Sequence, residues 1–238
     1  TIIKDGFTKD VSNATHFADV LAQAASNSNT NVSMLGESFK YVAPVAGSMS
    51  YSVEDVAVAL GLMANSGIKA STAGTALRQL ITNMAKPTDK MADAMDYLGL
   101  SLQNSDGSMK SFMEVMEDLR DGFGECKMPM DEFQTQLAEI EKKYANGDLT
   151  EKKYSKALED LTEKAYGAEG ALRAKYAATL AGQEGMSGLL AIVNTSDEDF
   201  EKLTSAIDDS DGAAQRMADT MNDNLQGAIT LMKSALES

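Results

Sequence analysis

Along most of the chain apolar residues recur every three or four positions, the spacing of one face of an α-helix. Between His16 and Ala25 they fall at Phe17, Val20, Leu21 and Ala24. After the polar break NSNTN a second pattern runs through Met34, Leu35, Phe39 and Val42 toward Pro44, where a helix is expected to stop. Ser52 can cap the next helix, SVEDVAVALGLMANSG, with Asp55 three residues on in a variant of the capping box. Its inward stripe is Val56, Leu60 and Met63, and Gly67 suits the left-handed residue that closes such a helix. Ser71 is placed to cap the helix that follows, where Leu77, Leu80, Ile81 and Met84 make a half-buried face. The chain must leave that helix at Lys86, because Pro87 disfavours helical backbone in the residue before it. Thr88 restarts the pattern, and Met91, Met95 and Leu98 continue it to Gly99.

The period changes once. Leu98, Leu100 and Leu102 alternate, and Asn104-Ser105-Asp106-Gly107 is a strong turn signal, so a short β-hairpin near 98–110 is compatible with the pattern. Ser111 and Glu114 then form a capping box ahead of Phe112, Val115, Met116, Leu119 and Phe123. Residues 130–166 are dense in charge and predict an antiparallel helical hairpin turning at Asn146-Gly147-Asp148, with Thr150 capping its second helix. One edge of the hairpin carries Phe133, Leu137, Ile140 and Tyr144, the other Leu149, Tyr154, Leu158 and Leu161. Beyond Gly170 helices are expected over 171–181, 186–194 and 197–208. A longer one runs from Ala213 onward, with Met217, Met221, Leu225, Ile229, Met232 and Leu236 on a heptad-like seam suited to a partner helix.

These elements predict an all-α fold, an array or bundle of about nine to eleven short helices. We expect an N-terminal helical part (1–129), a charged hairpin with the look of an insertion (130–166) and a C-terminal part ending in an open-ended helix (167–238). The link between the helices around residue 67 reads as a packing device. Ala64, Ser66, Gly67, Ala70, Ala73, Gly74 and Ala76 permit a tight turn and close helix approach, and Leu60, Met63, Leu77, Leu80 and Ile81 supply the buried face.

Composition narrows the chemistry. Fifteen methionines, no tryptophan and 6% aromatics imply a core of Leu, Ala and Met. The net charge of −15 is concentrated beyond residue 100, which carries −13 against −2 before it. Such a surface repels phosphate backbones, so no direct nucleic-acid binding is expected. With a single cysteine, Cys126, and a single histidine, His16, the chain offers no internal disulfide, no Cys-based metal site and no redundant catalytic set. No phosphate-binding loop or zinc-binding helix motif is present, and neither Gly107 nor Gly212 sits in a calcium loop with oxygen donors at its ends. We therefore expect no enzyme activity, no cofactor and no metal. The first residues, TIIKDGFTKD, are charged and do not read as a signal peptide, and no window approaches the ~18 apolar residues that cross a membrane. The chain opens on Thr, as expected of a piece of a longer protein.

The stretch ALGLMANSGIKASTAGTALRQLITNMAKPTDKMADAMDYLGL resembles the core region of phage tail tape measure proteins. The resemblance rests on Gly67, on Gly74-Thr75-Ala76-Leu77-Arg78, on Lys86-Pro87-Thr88 and on Leu98-Gly99, in that order. It extends over about 30–123 and 165–238, and the hairpin at 130–164 departs from it. The resemblance implies a structural protein of a long-tailed phage or prophage that fills the tail tube lumen, sets tail length during assembly in the host cytoplasm and is released at DNA ejection. It implies as partners other tape measure copies in a homo-oligomer, tail tube protein, tail assembly chaperones and tail tip proteins, with membrane contact at ejection unsupported. The competing reading is a soluble helical adaptor or chaperone-like interaction domain without catalysis. A peptidoglycan hydrolase, which some tape measure proteins carry as a separate domain, would need His or Cys clusters that this sequence lacks.

Overall fold

The computed structural model describes residues 14–124 and 127–236, with backbone alone at 168, 183, 184 and 227–236. Eleven α-helices and one 3₁₀ turn make up the described residues, with no strand among them, so the fold is all-α. In chain order they are α1 (Ala14–Asn27), α2 (Val32–Ser48), α3 (Val53–Asn65), α4 (Ala70–Ala85), α5 (Asp89–Tyr97) and α6 (Phe112–Phe123). The rest are α7 (Met130–Ala145), α8 (Glu151–Tyr166), the 3₁₀ turn Gly167–Glu169, α9 (Gly170–Val193), α10 (Asp197–Asp208) and α11 (Ala213–Leu236). Cys126 lies outside the described residues.

The most apolar helix is the most central. Residues 56–64 of α3 are all buried, as expected of a helix that is apolar all round and has neighbours on every side. α1, α2, α4, α6, α9 and α10 each pack against it. The helix ends in a Schellman cap: the Ile68 amide donates to Met63 O (2.9 Å) and the Gly67 amide to Ala64 O (3.0 Å), with Gly67 at φ +86°. Ile68 then drops into the core.

The local capping signals at Ser52 and Ser111 hold. The Ser52 hydroxyl accepts from the Asp55 amide (3.0 Å). At α6 the capping box is complete, Ser111 Oγ accepting from the Glu114 amide (3.2 Å) and Glu114 Oε2 from the Ser111 amide (2.6 Å). Ser111→Ala should therefore cost about 1 kcal/mol. The check is a lower urea midpoint at an unchanged slope, with Ser111→Asp keeping most of the stability.

Three expectations need correction. Pro44 lies inside α2, which runs on to Ser48. The turn beyond Pro44 is held by burial of Ala46 and by Met49 and Tyr51 amides donating to Ala46 O, enough to carry the helix past the missing donor. Ser71 is not a cap: α4 begins at Ala70, whose carbonyl accepts from the Ser38 hydroxyl of α2 (2.7 Å), so the start of the helix is fixed by its neighbour. Thr150 holds the cap position of α8 in extended backbone, but its side chain makes no cap bond. The expected helices 171–181 and 186–194 stand as the two halves of α9, separated at Gly182, whose φ of +70° and ψ of 177° are not helical. The period change near 98–110 comes to a single antiparallel bridge, Gln103 with Met109, closed by the Asn104 amide on Ser108 O (2.8 Å).

The charged hairpin α7–α8 forms as expected and lies on the body. Phe133, Leu137, Tyr154, Leu158 and Leu161 belong to the same buried cluster as α2–α6, and α8 packs along α9. Ala138 of α7 covers the Gly67 turn, its Cβ 3.4 Å from where a side chain on Gly67 would begin.

Candidate interaction surface

The helix pair α3–α4 is a packing site. Leu60, Met63, Leu77, Leu80 and Ile81 are all buried, whereas Arg78 and Pro87 are exposed. α4 is clamped between α2 and α9 by small residues. At Gly74 a side-chain carbon would stand 2.3 Å from Ser38 O, so the α2 and α4 backbones touch there. On the opposite side Ala76 meets Gly185 and Gly188 of α9. Asn83, buried, ties the same helices together by donating to Leu180 O (2.7 Å) and accepting from Gln79 (2.8 Å).

The second predicted surface, on α11, is open. The helix packs against α1 at its start, where Ala213 is buried and Met217 half-buried. From residue 218 to 226 every described side chain is exposed, Met221 at 66% and Leu225 at 59%. Ile229, Met232 and Leu236 have side chains outside the described residues. Two large apolar side chains one turn apart on an uncovered helix form the beginning of an unpartnered seam.

What aims this helix was not evident in the sequence. Asp19 of α1, buried, accepts from the Gly212 amide (3.0 Å) and the Ala214 amide (2.9 Å), and so caps α11 from 193 and 195 residues upstream. The available signal was that Asp19 is the only acidic residue in the 14-residue helix ATHFADVLAQAASN. Asp55 does the same for α6: its Oδ2 accepts from the Met113 amide (3.1 Å). Burial pushes the Asp55 carboxyl above the ordinary range, against the pull of the Met113 and Ser52 hydrogen bonds. His16, on the same face of α1, bonds Glu54 at 2.5 Å. A third tie joins α6 to α10, where Arg120 donates to Thr195 O (2.7 Å), pairs with Asp197 and covers the Phe200 ring.

Among the described residues no three His, Cys, Asp or Glu side chains converge to hold a metal ion, and no helix is long and apolar enough to cross a membrane. The geometry is that of a packed body with one helix leaving it.

The chain is 37% identical over 232 residues to the "Tape measure protein" of Pneumococcus phage Dp-1, which covers 98% of the chain and 16% of that relative. It is 23% identical over 237 residues to the "Probable tape measure protein" of Escherichia phage P2, which covers 99% of the chain and 24% of that relative. The chain thus spans less than a quarter of the length of these curated relatives. No solved structure matches it. The family model described as "Phage-related minor tail protein" matches residues 1–137, more than half of the chain, and the chain belongs to that family.

Proposed function

We propose that this chain is a folded helical module of a tape-measure-type protein that lies in the tail tube lumen and takes part in setting tail length, without itself being the ruler. The observation that carries this reading is the packing of α1–α10 around one shared core while α11 leaves it uncovered. A ruler needs length proportional to residue number, about 1.5 Å per residue in a continuous helix. Helices of 9 to 24 residues folded back on one another do not provide that. The ruler helices would lie elsewhere in a protein several times as long as this chain, as the two relatives are.

In this reading the Met221–Leu225 seam of α11 joins further copies of the protein, and the body meets tail tube subunits, tail assembly chaperones and tail tip proteins. The module is made in the host cytoplasm, enters the virion tail and leaves it at DNA ejection. Its role is structural and not catalytic.

Electron microscopy of phage carrying an in-frame deletion of residues 30–123 tests the proposal. The expected result is loss of tails, because the deletion removes the core on which assembly depends. Intact tails shortened by about 140 Å, the length those residues would span as one helix, would make the module itself part of the ruler and overturn it.

A further inference from the structure

A cleft of about 480 Å³ opens between α2, the start of α4 and the α7–α8 hairpin. Its walls carry Tyr41, Tyr144 and Tyr154 together with Glu141 and Glu151, and no basic side chain lines it. The packing role of α3–α4 and the seam on α11 leave these groups unused. Tyr144 and Tyr154 stack at 4.1 Å between centroids with 15° between planes. Tyr144, stacked on Tyr154 on one face, is 40% exposed. Tyr41, 38% exposed, stands on α2.

We propose that this cleft binds an organic ammonium group. Aromatic faces attract cations through the ring quadrupole, and the attraction grows where water is partly excluded. Two carboxylates at the same cleft add full charges of the right sign. The first turns of α4 and α8 bring partial positive charge and the last turn of α7 partial negative charge, about half a unit each. Against two full carboxylates these leave the cleft net negative. The wider surface, at −15 for the chain, draws cations in the same direction.

Shape selects an ammonium over a guanidinium. Glu141 already accepts the Tyr154 hydroxyl at 2.5 Å through Oε1, so it does not present both oxygens as a free fork. Glu151 stands on the other helix of the hairpin. Separate single acceptors suit a compact charge with rotatable donors better than a planar bidentate group. The hydroxyls of Ser71, Thr72 and Thr75 complete the set of acceptors for its N–H groups. Burial holds the Glu141 carboxyl above the ordinary range by removing water from it, and a bound cation would stabilise its charged form.

The test is titration of the 238-residue protein carrying ¹³C-labelled tyrosine rings, followed by NMR. Three probes are compared: 1,5-diaminopentane, Nα-acetyl-lysine N-methylamide and the neutral 1-pentanol. Saturable shifts of the Tyr144 and Tyr154 rings with either amine and none with the alcohol are expected. Affinity should fall at least fivefold in Glu151→Gln, an exposed first-turn position, and at least tenfold in Tyr144→Ala, with the thermal midpoint of each variant checked. Glu141→Gln should weaken binding as well. If the lysine amide binds at least as tightly as the diamine, the source is a partner protein's side chain, and the reverse order points to a free polyamine. Either order upholds the proposal. No ring shift with either amine, equal shifts with the alcohol, or amine binding untouched by all three substitutions would overturn it.

Discussion

Replacing Gly74 with alanine should lower stability by about 3 kcal/mol, toward the upper end of what overpacking costs, although alanine is the better helix former by about 1 kcal/mol. The added carbon would lie 2.3 Å from Ser38 O and 2.8 Å from Ser38 Cα. Both are backbone atoms of α2, so no side-chain rotation relieves the clash and the two helices must separate. Separation also strains the bond from the Ser38 hydroxyl to Ala70 O, which fixes the start of α4. The control is Gly36→Ala in the same α2, where nothing stands within 4 Å of the added carbon. There propensity acts alone, and the variant should gain about 0.5–1 kcal/mol. Urea unfolding of the two variants should therefore move in opposite directions. If both gain stability by similar amounts, the backbones do not touch as described.

The second large effect is expected at Asp19. Asp19→Ala removes a charged acceptor from two amides at the start of α11, each such bond contributing about 1.5–3 kcal/mol. Loss of a helix N-cap by itself costs about 1 kcal/mol. Because water can reach the freed amides once the helix end loosens, the two effects overlap, and a net loss of about 3 kcal/mol is expected. Hydrogen exchange locates it: the Gly212 and Ala214 amides should exchange at least tenfold faster, while amides in the middle of α3 change only as far as global stability does. Asp19→Asn keeps one acceptor oxygen but no charge and should fall between. Unchanged exchange at Gly212 and Ala214 in Asp19→Ala would show that α11 is held by its packing on α1 alone.

How much of this was legible in the sequence follows from the range of each interaction. Capping at Ser52 and Ser111 and the Gly67 turn involve neighbours within five residues, and they stand as the pattern predicts. The stripes of Leu60, Met63, Leu77, Leu80 and Ile81 are likewise local in origin, and all five are buried. Helix limits set by distant groups were not legible. Ser38 decides where α4 begins, and the burial of Ala46 lets α2 pass Pro44. On α11 the spacing predicted an apolar seam, of which Met221 and Leu225 are exposed and Met217 is half-buried. The long-range acceptor that directs that seam, Asp19, had no counterpart in the local pattern.

The bond from Asp19 to the α11 amides also sets how the chain can be cut. A boundary drawn between the hairpin and the last helices would separate a buried carboxylate from two amides that donate to it, 193 and 195 residues away. The shorter fragment would carry α11 without its Asp19 cap, and the longer one would expose the face of α1 that α10 and α11 cover. The first and last described helices are therefore expected to unfold together, and a truncation that removes Gly212 and Ala214 to loosen α1 as well.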